Sequence, residues 1–443
     1  MNQTARRRSM RPELLAAAAA LWLVASVLAI PVSAQDSDGE SGADADTGWV
    51  EIGGAAGAGT AVAAPFGDDD PFADLPTDDE GEEKDPGGKL RPYLDYNRVD
   101  QYTLGFDMLY KPTVGLKPGL RIRVARAFQR QDDPGDGVML YDMGLTQPLV
   151  PSRAIRLDVA LYEKTDDDHF GQIGGFENAL ATWALRWDFR DWFQRTGFTG
   201  GLSADFGTRW SASARWSADD YTSITRLADG IAPAFRQDEP MRENPAIDDG
   251  RLQSVTLAAG YDSRSSKDAP TRGMWHRIEM ETAGGALEGD FTFHRWMGDF
   301  RAYVSPSPSH RLKTRVMLGT TGADDALPLQ RTFAIGGVGT LRATPFRQFR
   351  GNHLFLWNAD WAWEVLRRSS KNAAVKTALS VVAFSDLGVA WRAPEWDLAR
   401  QKPAWNVGLG LGTSDERFRV YAGKDVRDSN AAVHWTVRIA QSY

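Results

Sequence analysis

The chain ends with the stretch VHWTVRIAQSY, Val433–Tyr443, in which apolar and polar side chains alternate. One face carries the apolar and aromatic residues Val433, Trp435, Val437, Ile439 and Tyr443. The other face carries His434, Thr436, Arg438 and Ser442. Because successive side chains of a β-strand point to opposite sides, this period of two predicts a strand with one apolar and one polar face.

The same alternation recurs from residue 89 onward. It is clear in RLQSVTLAAGY, residues 251–261, and in GLRIRVARAF, residues 119–128, where it holds until Arg126 falls on the apolar face. Stretches rich in turn-forming residues, such as DDPGDG at 132–137 and SPSPSH at 305–310, separate the segments. The result is about sixteen candidate strands of roughly ten residues, the length that a tilted strand needs to cross a bilayer.

Many amphipathic strands occur both in soluble sandwiches and in membrane barrels, and composition favours the barrel. The chain has 16 Trp and 11 Tyr, as the aromatic girdles of a membrane barrel require. The opposite strand faces carry Arg, Lys, Asp and Thr, which suits a polar lumen. The sequence therefore predicts an all-β fold, a transmembrane antiparallel β-barrel in which no backbone group is left without a partner in lipid.

One segment, ATWALRWDFRDWF at residues 181–193, has two interpretations. Trp183, Leu185, Trp187 and Phe189 alternate with charged residues, which favours a strand. Leu180, Trp183, Ala184 and Trp187 also stand at helical spacing. We expect a strand, with a helix at the barrel rim as the alternative.

Residues 1–34 have the pattern of a secretory signal peptide. Four arginines at 6–11 precede the apolar run Leu14–Ile30, and PVSA provides a small-residue cleavage site ending at Ala34. We expect cleavage there; a retained helical anchor is the alternative. The chain has no cysteine, which excludes disulfides and thiolate metal ligands.

Residues 35–88 form an acidic, low-complexity segment. Residues 36–88 hold sixteen acidic side chains and one lysine, with few apolar residues to bury, so we expect a disordered linker. No calcium-loop spacing appears in it. The remaining residues, 89–443, carry a net charge of about +4 without a basic stripe, so no nucleic-acid partner is expected.

Four stretches, in order, resemble one family. They are RPYLDYNRVDQYTLGFDMLY (91–110), GYDSRSSKDAPTRGMWHRIEME (260–281), FAIGGVGTLRATPF (333–346) and FSDLGVAW (384–391). Together they resemble the BamA/TamA-like superfamily of outer-membrane assembly and secretion barrels, also called bacterial surface antigens. The resemblance covers residues 90–443 and implies a sixteen-strand barrel in the outer membrane of a Gram-negative-type bacterium, with a glycine-rich loop folded into the lumen.

The resemblance also implies a set of functional residues. The loop turns at Gly336, Gly337 and Gly339 and continues to Phe346. Its arginine, Arg342, is then expected to pair with Asp386 and Asp360 on the inner wall. A guanidinium in a partly dehydrated lumen needs a carboxylate, and its planar fork can bind one bidentately. The alternative is an exposed external loop, where such a pair contributes about 0–1 kcal/mol.

The sequence departs from the family pattern in two places. Ala343 stands where the family has glycine, and the aromatic residue is delayed to Phe346 behind Thr344 and Pro345. The family's assembly and secretion members also carry periplasmic POTRA domains, which the acidic linker is too short and too polar to form. We therefore expect a barrel-only member.

Three functions are compatible with these features. The first is protein insertion or translocation, or lipid movement, with the bilayer, nascent outer-membrane proteins or periplasmic subunits as partners. Its mechanism would be lateral opening between the strands near Tyr102–Tyr110 and Val433–Tyr443. Polar Gln441 and Ser442 are expected to weaken that seam. The second is a passive pore, and a surface protein that binds through the loop 218–249 is a related alternative. The third, a membrane-embedded hydrolase, lacks a G-x-S-x-G elbow and paired histidines, so we expect no catalytic residue, cofactor or metal.

Overall fold

The computed structural model describes residues 89–110, 118–130, 137–150, 154–167, 173–226, 240–267, 269–322, 325–367, 378–413 and 418–439. The expected signal peptide, the expected acidic linker and three residues of the last predicted strand (Gln441, Ser442 and Tyr443) lie outside these ranges. Among the described residues, no helix is long and apolar enough to cross a membrane.

Strands make up most of the described chain. They are β1 (Lys89–Asn97), β2 (Gln101–Tyr110), β3 (Gly119–Ala127), β4 (Val138–Val150), β5 (Ile155–Asp167), β6 (Trp192–Phe206), β7 (Trp210–Ser223), β8 (Gly250–Asp262), β9 (Gly273–Ala283), β10 (Phe293–Ser307), β11 (His310–Thr321), β12 (Phe333–Ile335), β13 (Phe349–Gly351), β14 (His353–Arg367), β15 (Ala378–Trp391), β16 (Ala404–Thr413), β17 (Phe418–Asp425) and β18 (His434–Ile439). One α-helix, α1 (Gly175–Leu185), lies between β5 and β6.

Sixteen of these strands form one antiparallel sheet in which each strand pairs with its neighbour in sequence. The only skip is from β11 to β14, because β12 and β13 form a separate two-stranded sheet inside the connecting loop. The predicted count of about sixteen strands is confirmed. β1 and β18 are the two ends of the sheet, and no backbone ladder joins them within the described residues.

The distribution of buried side chains is the reverse of that in a soluble protein. On β18, Trp435 is 72% exposed and Val437 is also exposed, while Thr436 and Arg438 are buried. On β14, Trp361 and Trp363 are exposed on either side of buried Ala362, next to buried Asp360. Apolar side chains outside and charged side chains inside are what a bilayer and a polar lumen require, so the predicted transmembrane β-barrel is confirmed.

The inner wall has two zones. Near the loop between β11 and β14, the inward side chains are apolar, including Met317, Leu354 and Leu356. Further along the same strands they are polar or charged, as with Asn358 and Asp360 of β14. A loop that enters the lumen therefore meets an apolar surface first and charged partners deeper.

The expectation of a strand over 181–193 is wrong for its first part. The helix α1 includes Thr182, Trp183 and Leu185, and strand β6 begins only at Trp192. The helix ends where Arg186 takes a left-handed conformation and the amides of Arg186 and Trp187 donate to carbonyls in the last turn. Such a C-terminal motif satisfies the last carbonyls. The helical spacing of the apolar residues decided this segment, not their alternation.

Two other boundaries also differ from the prediction. The first strand is Lys89–Asn97, so the edge of the sheet is β1, and Tyr102–Tyr110 belongs to the paired second strand. The sequence pattern did not predict this hairpin, because Pro92 lies inside β1 and the turn after Asn97 is short. The predicted loop 218–249 is shorter at its start, because β7 continues to Ser223 and pairs with β6 and β8.

Candidate functional site

The loop between β11 and β14, hereafter the lumen loop (described residues 325–352), contains the short ladder formed by β12 and β13. Directly after β12 the chain turns at three glycines, Gly336, Gly337 and Gly339, with φ angles of 130°, 82° and 82°. These left-handed values favour glycine. A Cβ on Gly336 would also lie 2.3 Å from the carbonyl oxygen of Pro345, so the turn has no room for a larger residue.

Apolar packing holds the first part of the lumen loop against the inner wall. Phe333, Ile335 and Leu341 are fully buried among side chains of β10, β11 and β14. Gly319 of β11 makes space for the Phe333 ring, since a Cβ there would lie 2.5 Å from a ring carbon. Burial of three large apolar side chains stabilises the docked loop by roughly 1.5–3 kcal/mol each.

Beyond the glycines, the loop places Arg342 against two carboxylates. Nε of Arg342 donates to Oδ2 of Asp386 at 2.9 Å, and Nη2 donates to Oδ1 of the same carboxylate at 2.6 Å. Nη2 also donates to Oδ1 of Asp360 at 2.6 Å, and the backbone N–H of Arg342 donates to Asp386 at 3.1 Å. The structure therefore brings Arg342, Asp386 and Asp360 together as one bidentate and one single contact, with all three side chains buried.

Two aromatic rings complete the surroundings of the guanidinium. Its carbon lies 4.0 Å from the Phe384 ring centroid and 4.9 Å from the Tyr421 ring centroid. Gly408 and Gly423 lie against Phe384, and a Cβ on either would be 2.6 Å from a ring carbon. A cation over the face of an aromatic ring is attracted to it, by about 2 kcal/mol or more when both are desolvated.

Neighbouring polar side chains fix the carboxylates and the loop backbone. Asn358 donates to Asp386 at 2.8 Å and to the carbonyl oxygen of Thr340 at 2.6 Å. Asn406 accepts from the N–H of Ala343 at 2.9 Å and from the hydroxyl of Thr344 at 3.1 Å. These residues were missed in the sequence. Asn358 stands two positions before Asp360, on the same strand face, which is the signal that could have found it.

One contact ties the loop to the last strand. The hydroxyl of Thr436 on β18 donates to the backbone carbonyl oxygen of Arg342 at 3.3 Å. Arg342 thus connects β14 and β15 through its side chain and β18 through its backbone. The position of the lumen loop and that of the last strand are therefore coupled.

The structure explains the two positions of the loop, Ala343 and Phe346, at which the sequence departs from the family pattern. Ala343 is buried and is not among the residues with positive φ, so its backbone does not require glycine. Phe346 lies at the return of the loop, half-buried, with its ring centroid 6.2 Å from that of Phe189 and 4.7 Å from the guanidinium carbon of Arg242. The delayed aromatic therefore packs between neighbouring loops.

A second charged group, the mouth cluster, forms where these loops meet. It consists of Asp191 and the four arginines Arg98, Arg242, Arg347 and Arg350, whose nitrogens lie 2.6–3.4 Å from the Asp191 carboxylate. Burial alone would raise the pKa of Asp191, but the guanidinium groups of Arg347, Arg242 and Arg98 lower this pKa to about 2. The returning end of the lumen loop is therefore held by charge.

The residues predicted on the last strand fall into two groups. Trp435 and Val437 point outward and are exposed. Ile439 is half-buried at the edge of β18, and its backbone N–H donates to Oε1 of Glu177 in α1 at 2.8 Å. Among the described residues, no group of three or more His, Asp or Glu side chains has an arrangement that could hold a metal ion.

A sixteen-strand transmembrane barrel with an arginine-bearing loop inserted in its lumen defines a class of outer-membrane proteins. The family comparison agrees, because residues 140–414 of the 443 match the Omp85 superfamily domain. The chain belongs to the Omp85 superfamily. Membership indicates an outer-membrane location.

Individual relatives are distant. Over 167 residues, 34% of this chain, it is 26% identical to the outer membrane protein assembly factor BamA of Nitratidesulfovibrio vulgaris, and the match spans 20% of that relative's length. Its structure is similar to that of BamA from Haemophilus ducreyi lacking POTRA domains 1-3, with a TM-score of 0.52 at 11% identity over 82% of this chain and 72% of that chain. CdiB from Escherichia coli gives a TM-score of 0.44 at 14% identity, covering 82% of this chain and 65% of that chain.

Proposed function

We propose that the protein inserts or translocates proteins in the outer membrane by opening its barrel laterally between β1 and β18. The observation that carries the proposal is the end of the sheet: within the described residues, β1 and β18 each have a ladder with a neighbouring strand on one side only, whereas the strands between them have ladders on both sides. Edge strands expose hydrogen-bonding groups that can template another strand. A nascent outer-membrane protein would offer a complementary edge.

The anchored lumen loop supports this function over that of a passive pore. The loop brings Phe333, Ile335, Leu341 and Arg342 into the lumen, where they are buried against the wall. A channel that conducts steadily needs this space filled with water. In planar bilayers we therefore expect no large, steady conductance, and stable porin-like openings would favour the pore instead.

The role of the Arg342 site in this function is positional. By coupling β14 and β15 to Thr436 of β18, it sets where the last strand stands when the seam is closed. No step of insertion needs a nucleophile or an activated water, so we propose that the protein is not an enzyme. Export through a cleaved signal peptide at Ala34 is part of the same proposal.

Cross-linking across the seam tests lateral opening. The chain has no cysteine, so a pair introduced at Leu94 of β1 and Val437 of β18, both exposed and outward-facing, can be joined selectively with a bis-maleimide. We expect the joined protein to fail to restore the outer-membrane protein inventory in depleted cells.

The matched control joins strands that are already paired. Leu94 and Leu104 face each other across the β1–β2 ladder, so a cross-link there constrains nothing that opens. Full activity of the protein joined at Leu94 and Val437 would exclude lateral opening, whatever the control shows. Loss of activity in both proteins would indicate damage by the linker near β1 and would count against the seam as the site of action.

A further inference from the structure

In the helix α1 the buried side chains are polar and large apolar side chains are exposed, the reverse of a helix on a soluble protein. Its buried residues are Glu177, Asn178 and Thr182, which are all polar. Its large apolar residues are exposed, with Phe176 at 54% and Trp183 at 42%. A helix that hides its polar face and presents its apolar face has a solvent other than water on the exposed side.

Three apolar side chains, Phe176, Leu180 and Trp183, form a stripe on one face of the helix, because they are spaced by four and three positions. Phe176 and Trp183 are exposed, while Leu180 is half-buried. Trp187, which lies beyond the left-handed Arg186 that ends the helix, is also exposed. In exposure this stripe matches the outward residues of the strands, such as Trp361 at 56%.

Contacts place α1 at the junction of the two sheet ends. Its packing partner among the strands is β1. From the same helix, Glu177 accepts hydrogen bonds from Nε of Arg438 at 2.9 and 3.2 Å and from the backbone N–H of Ile439 at 2.8 Å. A side-chain carboxylate thus binds a backbone donor on the edge of β18, as a carbonyl of a neighbouring strand would.

The position of the helix is fixed from its other side as well. Asn178 donates to Asp188 at 3.0 Å, and Asp188 accepts from the backbone N–H of Arg98, in the turn that follows β1, at 3.1 Å. Trp192, the first residue of β6, also donates to Asp188 through its indole N–H at 2.8 Å. All of these contacts use the polar face, which leaves the apolar stripe turned away from the protein.

We propose that α1 is a part of the barrel wall that closes the seam between β1 and β18, with its apolar stripe in contact with the acyl chains of the bilayer. The exposure of Phe176 and Trp183 is similar to that of outward residues on the strands, which favours lipid as the partner of the stripe. An eleven-residue helix is about 16 Å long, which is roughly half the thickness of a 30 Å hydrocarbon core. Glu177 fastens this element to β18.

The lipid contact can be measured without any activity assay. In the cysteine-free chain, a bimane label at Trp183→Cys, in vesicles with brominated acyl chains, is expected to be quenched as strongly as a label at Trp361→Cys on β14. A label at Asn430→Cys, in an exposed loop, is the aqueous control and should be quenched by iodide instead. Because Trp183→Cys alters the stripe itself, Phe176→Cys serves as a second site.

Iodide quenching at both helix sites, without quenching by brominated lipid, would overturn the proposal by placing the stripe in water. The fastening by Glu177 has its own readout, the distance between spin labels at Leu94→Cys and Val437→Cys. Glu177→Gln should broaden this distance distribution toward longer values. The control Glu163→Gln, which alters a carboxylate on β5 that accepts from Gln194, should not.

An unchanged distribution in Glu177→Gln would remove Glu177 from the proposal. These measurements are independent of the proposed lateral opening. A lipid-facing α1 in a protein without insertion activity would leave the helix assignment intact and overturn only the function.

Discussion

The lumen loop and α1 are both inserted between strands, and both bring a charged side chain to the barrel wall, but they are attached very differently. Arg342 of the loop is surrounded by Asp386, Asp360 and the rings of Phe384 and Tyr421, and the loop before it is buried in an apolar cluster. Glu177 of α1 binds Arg438 and the backbone N–H of Ile439 on β18, from a helix that exposes Phe176 and Trp183.

This difference in attachment predicts that the lumen loop is harder to displace than α1. Removing the loop would expose buried apolar surface and leave buried Asp386 without the guanidinium that binds it bidentately, which is expensive. Releasing α1 from β18 breaks a few hydrogen bonds, each with a net contribution of about 1.5–3 kcal/mol when a charged group takes part. If the barrel opens laterally as proposed, we expect the seam to open while the loop stays in place.

The largest expected effect is that of removing the buried arginine. Arg342→Ala leaves buried Asp386 without its bidentate partner, while Asp360 keeps Arg419 at 3.5 Å, and it should lower the free energy of unfolding by about 3–5 kcal/mol. Urea unfolding in lipid vesicles measures the change. Arg400→Ala is the control, because Arg400 pairs with Asp397 at the surface with its side chain 86% exposed, and such a pair contributes about 0–1 kcal/mol.

If the two variants lose the same small amount, the loop is not anchored by charge, and the contrast with α1 disappears. Arg342→Lys tests the geometry further. A lysine keeps the charge but lacks the planar fork, so it should recover only part of the loss.

The second largest loss of stability is expected for substitution of a glycine in the turn of the lumen loop. Gly336→Ala introduces a side chain at a φ of 130° and a Cβ within 2.3 Å of the Pro345 carbonyl oxygen, and should lower the free energy of unfolding by about 1–3 kcal/mol. Gly285→Ala is matched to it, since Gly285 also has a positive φ, 62°, but has open space around its Cβ position. Equal losses in the two variants would show that backbone strain alone, and not the tight turn in the lumen, is what the glycine relieves.

A smaller effect should reveal the coupling of the two regions through β18. Thr436→Val removes the hydrogen bond to the Arg342 carbonyl oxygen, and Glu177→Gln weakens the contact on the edge of the same strand. Each change should lower the free energy of unfolding by about 0.5–1.5 kcal/mol. In a double-mutant cycle the losses should differ from additivity by more than about 0.5 kcal/mol, because both contacts position one short strand. Strict additivity would mean that the loop and α1 act on β18 independently.

The smallest effect at neutral pH concerns the mouth cluster. Since the pKa of Asp191 is lowered from 3.8 to about 2, its contribution to stability is fully present above pH 3.8 and is lost as the pH falls through about 2. A spin label at Gln348→Cys, on the returning part of the loop, should therefore have constant mobility from pH 8 to about 4 and become more mobile below that. Asp191→Asn should give the mobile spectrum at pH 7, and a label at Asn430→Cys provides the baseline. A mobility change centred near pH 6 would contradict this assignment.

The sequence was most informative where one physical rule applied along the whole chain. The period of two in segments such as 251–261 and 433–439 predicted outward apolar and inward polar faces, and the exposure of Trp435 and burial of Thr436 follow that rule. The pairing of Arg342 with Asp386 and Asp360 came from family resemblance, because nothing local to the loop names a partner 44 residues away.

The sequence was least informative where two rules competed. Residues 181–185 satisfied both the strand and the helix pattern, and the helix prevailed, with Glu177 bound to Arg438 of β18 and Asn178 bound to Asp188. No spacing within the segment predicts the contact with Arg438, which is 261 positions away. Likewise, Pro92 obscured β1 in the sequence, and this strand could be assigned only from its ladder with β2.

The lipid-facing antiparallel barrel could be predicted from the sequence, because alternation gives every strand an apolar and a polar face and the many Trp and Tyr favour a bilayer over a soluble sandwich. The places where the barrel is fastened became visible only in the folded structure. The anchor of the lumen loop, the mouth cluster and the helix at the seam all depend on contacts between residues far apart in the chain, and these form only when sixteen strands bring them around one lumen.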